Sequence, residues 1–454
     1  MICSDSPGDC RGAGVCGERA RCRRRILTAV FGNGIMNQNL FRGSDRPQQR
    51  KEVTKMAKYR RRLLALLFIA SLLPGCAPAA PSDPPPEPAQ SVPEPAAEAQ
   101  TASPDAQAAE ALAAMTRTQK IAQLFFVSPE ALLGDSGSVT AADDSLRAAF
   151  AACPVGGVLL AEGNLRGPAQ TKALLSGLQD MSRDVLDLPV FLGVDEEGGT
   201  VARISGTGRF GVDAWPDMAS VADEAEARRI GEEMGKYLRD LGFNLNFAPV
   251  ADVLTEPENT VVRRRAFSDD PETVTNLCAA FSDGLQSRGV LACYKHFPGH
   301  GATEADSHKG FACSMHTPEE LYLLDLPPFR DAAGRRIPFI MVGHVTLPNV
   351  TRQASPASLS HEITTELLRG ELGFRGVAIT DSLDMGAVTQ NYSAGEAAVQ
   401  AVLAGQDMLL INQGFPEAYE AVSRAVADGT IPQTRLDEAV ERILRAKFAW
   451  QAGQ

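Results

Sequence analysis

Little in this chain favours a metal, a nucleotide or a nucleic acid. No group of histidine, cysteine and acidic residues has metal-ligand spacing. Walker-type phosphate loops are absent, so nucleotide chemistry gains no support. Cysteine is sparse where a fold would use it. Of nine in the chain, Cys3, Cys10, Cys16 and Cys22 lie near the start without paired C-x₂-C spacing, and past Cys76 only Cys153, Cys278, Cys293 and Cys313 remain. Those near predicted strands read as buried thiols rather than disulfides. The apolar run Leu63 to Leu73 is too short to span a bilayer comfortably. Basic residues are scarce past the first stretch. Through Arg62 there are 15 Lys+Arg and 5 Asp+Glu; the remainder has 44 − 15 = 29 basic and 56 − 5 = 51 acidic residues, a net −22. A body that acidic argues against nucleic acid or an anionic membrane surface as partner, and suits neutral sugars better.

The basic start reads as targeting sequence. Lys58, Arg60, Arg61 and Arg62 precede the Leu63–Leu73 run, followed by Pro74, Gly75 and Cys76. This is the layout of a signal peptide over 56–75. Leu at −3 and Gly at −1 before a Cys resemble a bacterial lipobox, so cleavage before Cys76 and lipidation of its thiol are expected. Residues 1–55 lie upstream of that complete signal and read as a mis-assigned extension, with Met56 as the true start. Residues 76–107, rich in Pro, Ala, Ser and Glu, predict an extended tether. The expected product is a cell-membrane-anchored, extracytoplasmic monomer with its folded part over 108–454.

From Ala108 onward, short apolar runs alternate with amphipathic helical stretches. The strand candidates are 124–127, 157–160, 190–194, 246–249, 291–294, 339–342, 377–380 and 408–411; helices include 223–240, 271–288, 318–329 and 361–371. Continuous apolar strands between helices mean a parallel sheet covered on both faces. Eight of them fit a single TIM-type (β/α)8 barrel.

The polar residues fall in register on that pattern. Asp195, Asp252, Lys295 with His296, His344 and Asp381 each follow an apolar run directly. In a parallel barrel those positions form one rim, where barrel enzymes carry out their chemistry. Asp381, leaving V-A-I-T, is the candidate nucleophile; Asp384 reads as a cap or loop residue. Asp306 and His308 flank one Ser in a Gly-rich loop, and such a pair can shuttle a proton near neutral pH. From composition alone, a solvated surface loop explains that pair equally well.

The blocks D-E-E-G-G-T-V-A-R (Asp195 to Arg203), R-A-F (Arg265 to Phe267), K-H-F-P-G-H-G…D-S-H (Lys295 to His308) and T-D-S-L-D-M resemble glycoside hydrolase family 3, in its β-N-acetylhexosaminidase (NagZ-type) branch. The resemblance spans roughly Met115 to Trp450. It implies a retaining two-step mechanism without cofactor. Asp381 would be the nucleophile and His308 the acid/base with Asp306 as its partner. Asp195, Arg203, Arg265, Lys295 and His296 would bind the sugar. His300 would be structural and His344 would line the pocket. The expected substrate is a peptidoglycan fragment or related oligosaccharide ending in N-acetylglucosamine. Alternatives on the same fold are a phosphorylase or a β-glucosidase; outside enzymes, the alternative is a sugar-binding lipoprotein.

Overall fold

The computed structural model describes residues 103–134, 137–303 and 312–453. The lipobox cysteine Cys76, the segment before it and most of the tether lie outside the described residues. So do Asp306 and His308. The first described helix, Pro104–Ala114, begins inside the expected tether, where Ser103 accepts from the Ala106 N–H and Pro supplies the first turn.

Eight parallel strands follow in chain order: β1 Phe125–Val127, β2 Gly157–Leu159, β3 Phe191–Val194, β4 Leu245–Asn246, β5 Leu291–Phe297, β6 Phe339–Val342, β7 Val377–Thr380 and β8 Leu409–Leu410. Each pairs with its neighbour in sequence, β8 pairs with β1, and a parallel bridge from Ile379 to Met408 closes the ring. Helices cross between the strands, among them α1 Asp144–Ala152, α2 Pro168–Leu186, α3 Glu224–Leu241 and α4 Pro271–Gln286. Later come α5 Pro327–Gly334, α6 Glu362–Glu371, α7 Ala394–Ala404, α8 Phe415–Ala427 and the closing α9 Gln433–Ala452. The TIM-type barrel expected from the alternation is therefore the fold. Among the described residues no helix is long and apolar enough to cross a membrane.

Inside the barrel, bulk and absence of bulk are matched. The Phe126 ring meets Phe247 edge-on at 5.2 Å, and Phe191 meets Phe339 at 5.0 Å. A Cβ at Gly157 or Gly193 would strike Phe126, at 2.2 and 2.8 Å, so these two strands carry glycine where the ring passes. The four described cysteines are free thiols; Cys278 and Cys293 are buried, Cys153 and Cys313 only partly so.

Three elements depart from the sequence pattern. The predicted helix 318–329 is broken into a first turn at Pro318–Glu320, a wider turn over Leu321–Asp325, and α5. Pro327 and Pro328 have no N–H to continue the ladder, so a new helix starts there. Strand β4 is shorter than 246–249 because Pro249 cannot donate either; single bonds, Cys293 N–H to Ala248 O and Ala251 N–H to Lys295 O, replace the ladder. Strand β5 is longer, continuing through Lys295 and His296 to Phe297. The spacing Gly206-Thr207-Gly208-Arg209-Phe210-Gly211 formally matches a dinucleotide-binding glycine pattern. It follows a short antiparallel hairpin and leads into irregular chain rather than a long helix, so it lacks the context that pattern needs.

Candidate active site

The extension of β5 builds the site. Its register against β6 shifts between Tyr294 and Phe297, so three residues on β5 oppose two on β6. Such a bulge re-aims side chains. Consecutive residues of a regular strand face opposite ways, yet Lys295 and His296 both find polar partners at the strand ends.

Lys295 Nζ donates to Asp195 Oδ1 at 2.7 Å and reaches Glu197 Oε1 at 2.6 Å. Asp195 immediately follows β3, and its side chain is 28% exposed against 3% for Lys295, so the carboxylate faces the opening and the ammonium lies beneath it. Glu197 is fully buried and also takes Arg265 in a fork, Nε to Oε2 at 2.7 Å and Nη2 to Oε1 at 2.8 Å. Burial pushes the Glu197 carboxyl up, but Lys295 and Arg265 outweigh it and hold it at about 2. Burial disfavours the charge on Lys295, yet Asp195 and Glu197 raise its value above the ordinary one. The cluster is charged on both sides at neutral pH.

His296 belongs to the same network. Its Nδ1 lies 2.8 Å from Asp252 Oδ2, and Arg265 Nη2 lies 3.3 Å from its Nε2. A guanidinium only donates, so Nε2 is the acceptor and Nδ1–H donates to Asp252. Both ring nitrogens are thus engaged within the protein. Asp252 Oδ1 also accepts from the backbone N–H groups of His296 and His300, at 3.1 and 2.8 Å, which fixes the Pro-Gly-His turn after β5. That turn needs Gly299: its φ is +141°, and a Cβ there would lie 2.7 Å from Asp325 Cβ. Asp325 in turn contacts His316, with Nδ1 to Oδ2 at 2.6 Å.

Asp381 follows β7 directly. Its N–H donates to Val342 O at 2.9 Å, and its Oδ1 accepts from the Ser382 N–H at 2.7 Å, leaving Oδ2 free for chemistry among the described residues. Burial would raise its carboxyl, but His296, His344, the Ser382 N–H and Lys295 hold it below the ordinary value. His344, after β6, supports that loop: Nε2 lies 2.8 Å from Ser382 O and Nδ1 lies 2.7 Å from Ser358 Oγ. A carbonyl only accepts, so Nε2 carries the proton and Nδ1 accepts from Ser358. Burial keeps this imidazole neutral by lowering its pKa. Asp384 is a loop tie, bonding Ser382 Oγ and the Gln413 N–H.

The structure therefore brings together Asp195, Arg265, Lys295, His296 and Asp381, with His344 beside them. Arg203 is half-buried and makes no ion pair with another described residue. Among the described residues no group of acidic, His or Cys side chains is arranged to hold a metal. Sequence reasoning missed Glu196 and Glu197. Glu196 is buried and accepts from the N–H groups of Ile204 and Ser205 and the hydroxyls of Ser205 and Tyr237. The signal was present in D-E-E-G-G: three acidic residues directly after a buried strand must find cations or donors.

This arrangement can bind a polyhydroxylated ring and offer a carboxylate to an electrophilic carbon. Known proteins resemble this chain over most of its described residues. The profile of the glycosyl hydrolase family 3 N-terminal domain matches residues 116–446. Beta-hexosaminidase A of Pseudoalteromonas piscicida is 31% identical over 376 residues, covering 75% of this chain and 62% of that protein. A Pseudomonas aeruginosa beta-hexosaminidase is 36% identical over 286 residues, covering 62% of this chain and 82% of that one. The solved family 3 beta-N-acetylglucosaminidase of Paenibacillus sp. superposes with a TM-score of 0.69 at 36% identity, covering 75% of this chain and 64% of that one. The chain thus spans under two thirds of the length of the Pseudoalteromonas and Paenibacillus proteins. With the profile over most of its length and these relatives beside it, the chain belongs to glycosyl hydrolase family 3.

Proposed function

We propose that the protein is a retaining exo-β-N-acetylglucosaminidase. The observation that carries this reading is Asp381: an ionised carboxylate with one free oxygen, at the end of a barrel strand, beside the Lys295–Asp195 pair. Hydrolysis proceeds in two steps. Asp381 Oδ2 attacks the anomeric carbon as the bond to the leaving oxygen breaks, and His308 gives its proton to that oxygen. His308, now a base supported by Asp306, takes a proton from water. The water oxygen then attacks the same carbon, and Asp381 leaves as a free carboxylate. The roles of His308 and Asp306 come from the sequence and the family resemblance.

In this reading the partly exposed Asp195 accepts from a sugar hydroxyl, and Lys295 and Arg265 donate to its neighbours. His296 shapes the pocket from behind through Arg265, and Arg203 is the cation left for the open side. Cations and carboxylates at the closed end of a pocket fit a terminal sugar, hence exo cleavage. The beta-hexosaminidase names of the relatives support N-acetylglucosamine as that sugar. Lipidation at Cys76 and an extracytoplasmic, peptidoglycan-derived substrate rest on the lipobox and tether.

The test compares p-nitrophenyl N-acetyl-β-glucosaminide with its β-glucoside, each with and without phosphate. The reading expects hydrolysis of the first, with retained configuration by NMR, and no phosphate requirement. Inverted product, preference for the glucoside, or a sugar 1-phosphate as main product would each contradict it.

A further inference from the structure

Glu197 is too deeply buried to touch a substrate, yet two of the proposed sugar donors converge on it. Counting donor hydrogens shows the consequence. A lysine ammonium has three N–H groups. Among the described residues, Lys295 spends one on Asp195 at 2.7 Å and one on Glu197 at 2.6 Å, so one remains. An arginine has five. Arg265 gives Nε–H and one Nη2–H to Glu197, the second Nη2–H to His296, and one Nη1–H to Val261 O at 3.3 Å. One Nη1–H is left without a partner among the described residues.

We infer that Glu197 is the positioning residue for sugar binding: it leaves each cation a single N–H and fixes where that N–H points. The inference rests on the proposed role of Arg265 and Lys295 as sugar donors. A carboxylate fork sets the plane of a guanidinium, which a single bond does not. The same carboxylate is the second anchor of the ammonium beside Asp195. Binding to donors already oriented loses less freedom than binding to donors that must first be ordered. Glu197 also keeps both cations charged in a buried place. Without it, Asp195 is the one anion among the described residues left in contact with Lys295, and the burial penalty on the ammonium goes partly unopposed.

The test uses the full chain with Glu197→Gln, Arg265→Ala and the double variant, on p-nitrophenyl N-acetyl-β-glucosaminide across pH. Glu197→Gln should raise KM by about tenfold or more, with kcat changed less, since what is lost is orientation of binding groups. The double variant should be within about threefold of the worse single variant, because Glu197 acts through its partners. Thermal unfolding should show every variant folded at the assay temperature.

Wild-type KM in Glu197→Gln would overturn the inference. So would multiplicative effects in the double variant, or Glu197→Gln unfolding while Arg265→Ala stays folded. A wild-type protein inert on the glycoside sinks the functional reading and this inference with it. An active wild type matched by Glu197→Gln sinks only the role of Glu197.

Discussion

Both ends of the barrel bury a carboxylate among several cations, and they use it differently. At the C-terminal end, Glu197 holds Arg265 and Lys295, and each cation keeps one N–H uncommitted among the described residues. At the N-terminal end, Asp407, just before β8, meets Arg369, Arg435 at 3.1 Å and Arg442 at 3.0 Å. There two of the cations are also tied to backbone: Arg369 bonds the carbonyls of Phe374 and Gly376, and Arg435 those of Val402 and Gln406. Charge composition alone does not distinguish a binding site from a structural clamp. What distinguishes them is what else the cations hold. At the upper cluster Lys295 also holds the partly exposed Asp195, whereas at the lower one Arg369 and Arg435 hold backbone carbonyls. The lower one ties α6 and α9 to the strand that closes the barrel.

Substitutions at the two ends should separate cleanly. Asp381→Asn should lower kcat on the order of 10⁴-fold while leaving the unfolding midpoint near that of the wild type. Steady-state kinetics and thermal denaturation on one preparation check both halves; a loss of stability matching the loss of activity would erase the distinction. Asp407→Ala should do the reverse. It strands three guanidiniums in a buried place and should cost about 3–5 kcal/mol in denaturant unfolding, with kcat of the folded protein unchanged.

Lys447 sharpens the comparison further, with a smaller effect. It lies fully buried under the barrel, donates to Gln123 Oε1 at 2.6 Å and faces the Phe191 ring at 5.3 Å. Unlike Lys295 it has no carboxylate partner among the described residues, and burial lowers its pKa to about 7. Between that value and the unfolded value of about 10.4, the unfolded chain holds more protons, so raising the pH stabilises the fold. Below about pH 7 the penalty of the buried charge is fully present. Lys447→Met should therefore raise the unfolding temperature relative to wild type most near pH 6, and the gap should shrink by a few degrees toward pH 10. A gap independent of pH would show that folding leaves the proton affinity of Lys447 unchanged, against the burial argument.

The fold was legible because a covered parallel strand leaves a plain mark: an uninterrupted apolar run ending in a polar residue. Strands β6 and β7 begin and end where their runs do. The rim residues were legible for the same reason, since Asp195 and Asp381 mark where burial stops. Lys295 and His296 misled the strand boundary because two polar residues look like an ending. A bulge and three carboxylates, the buried Glu197 and Asp252 and the partly exposed Asp195, let the strand continue through them. Glu197 was hidden by its neighbours: in D-E-E one residue faces the opening and two turn inward, and no period in the sequence tells them apart. The break at Pro327 was legible in principle, but the apolar spacing across it continued as if the helix did.

The claim on which the rest depends is that Asp381 forms the bond to the sugar. The direct measurement is to inactivate the protein with 5-fluoro-N-acetylglucosaminyl fluoride, digest it with trypsin and sequence the labelled peptide by mass spectrometry. The relevant peptide runs from Gly376 to Arg424 and contains Asp381, Asp384 and Asp407, so fragment ions can distinguish the three. The account predicts one fluorinated N-acetylhexosaminyl group, carried on Asp381. A label on Asp384 or elsewhere, or turnover that yields inverted sugar with no labelled peptide, would contradict it.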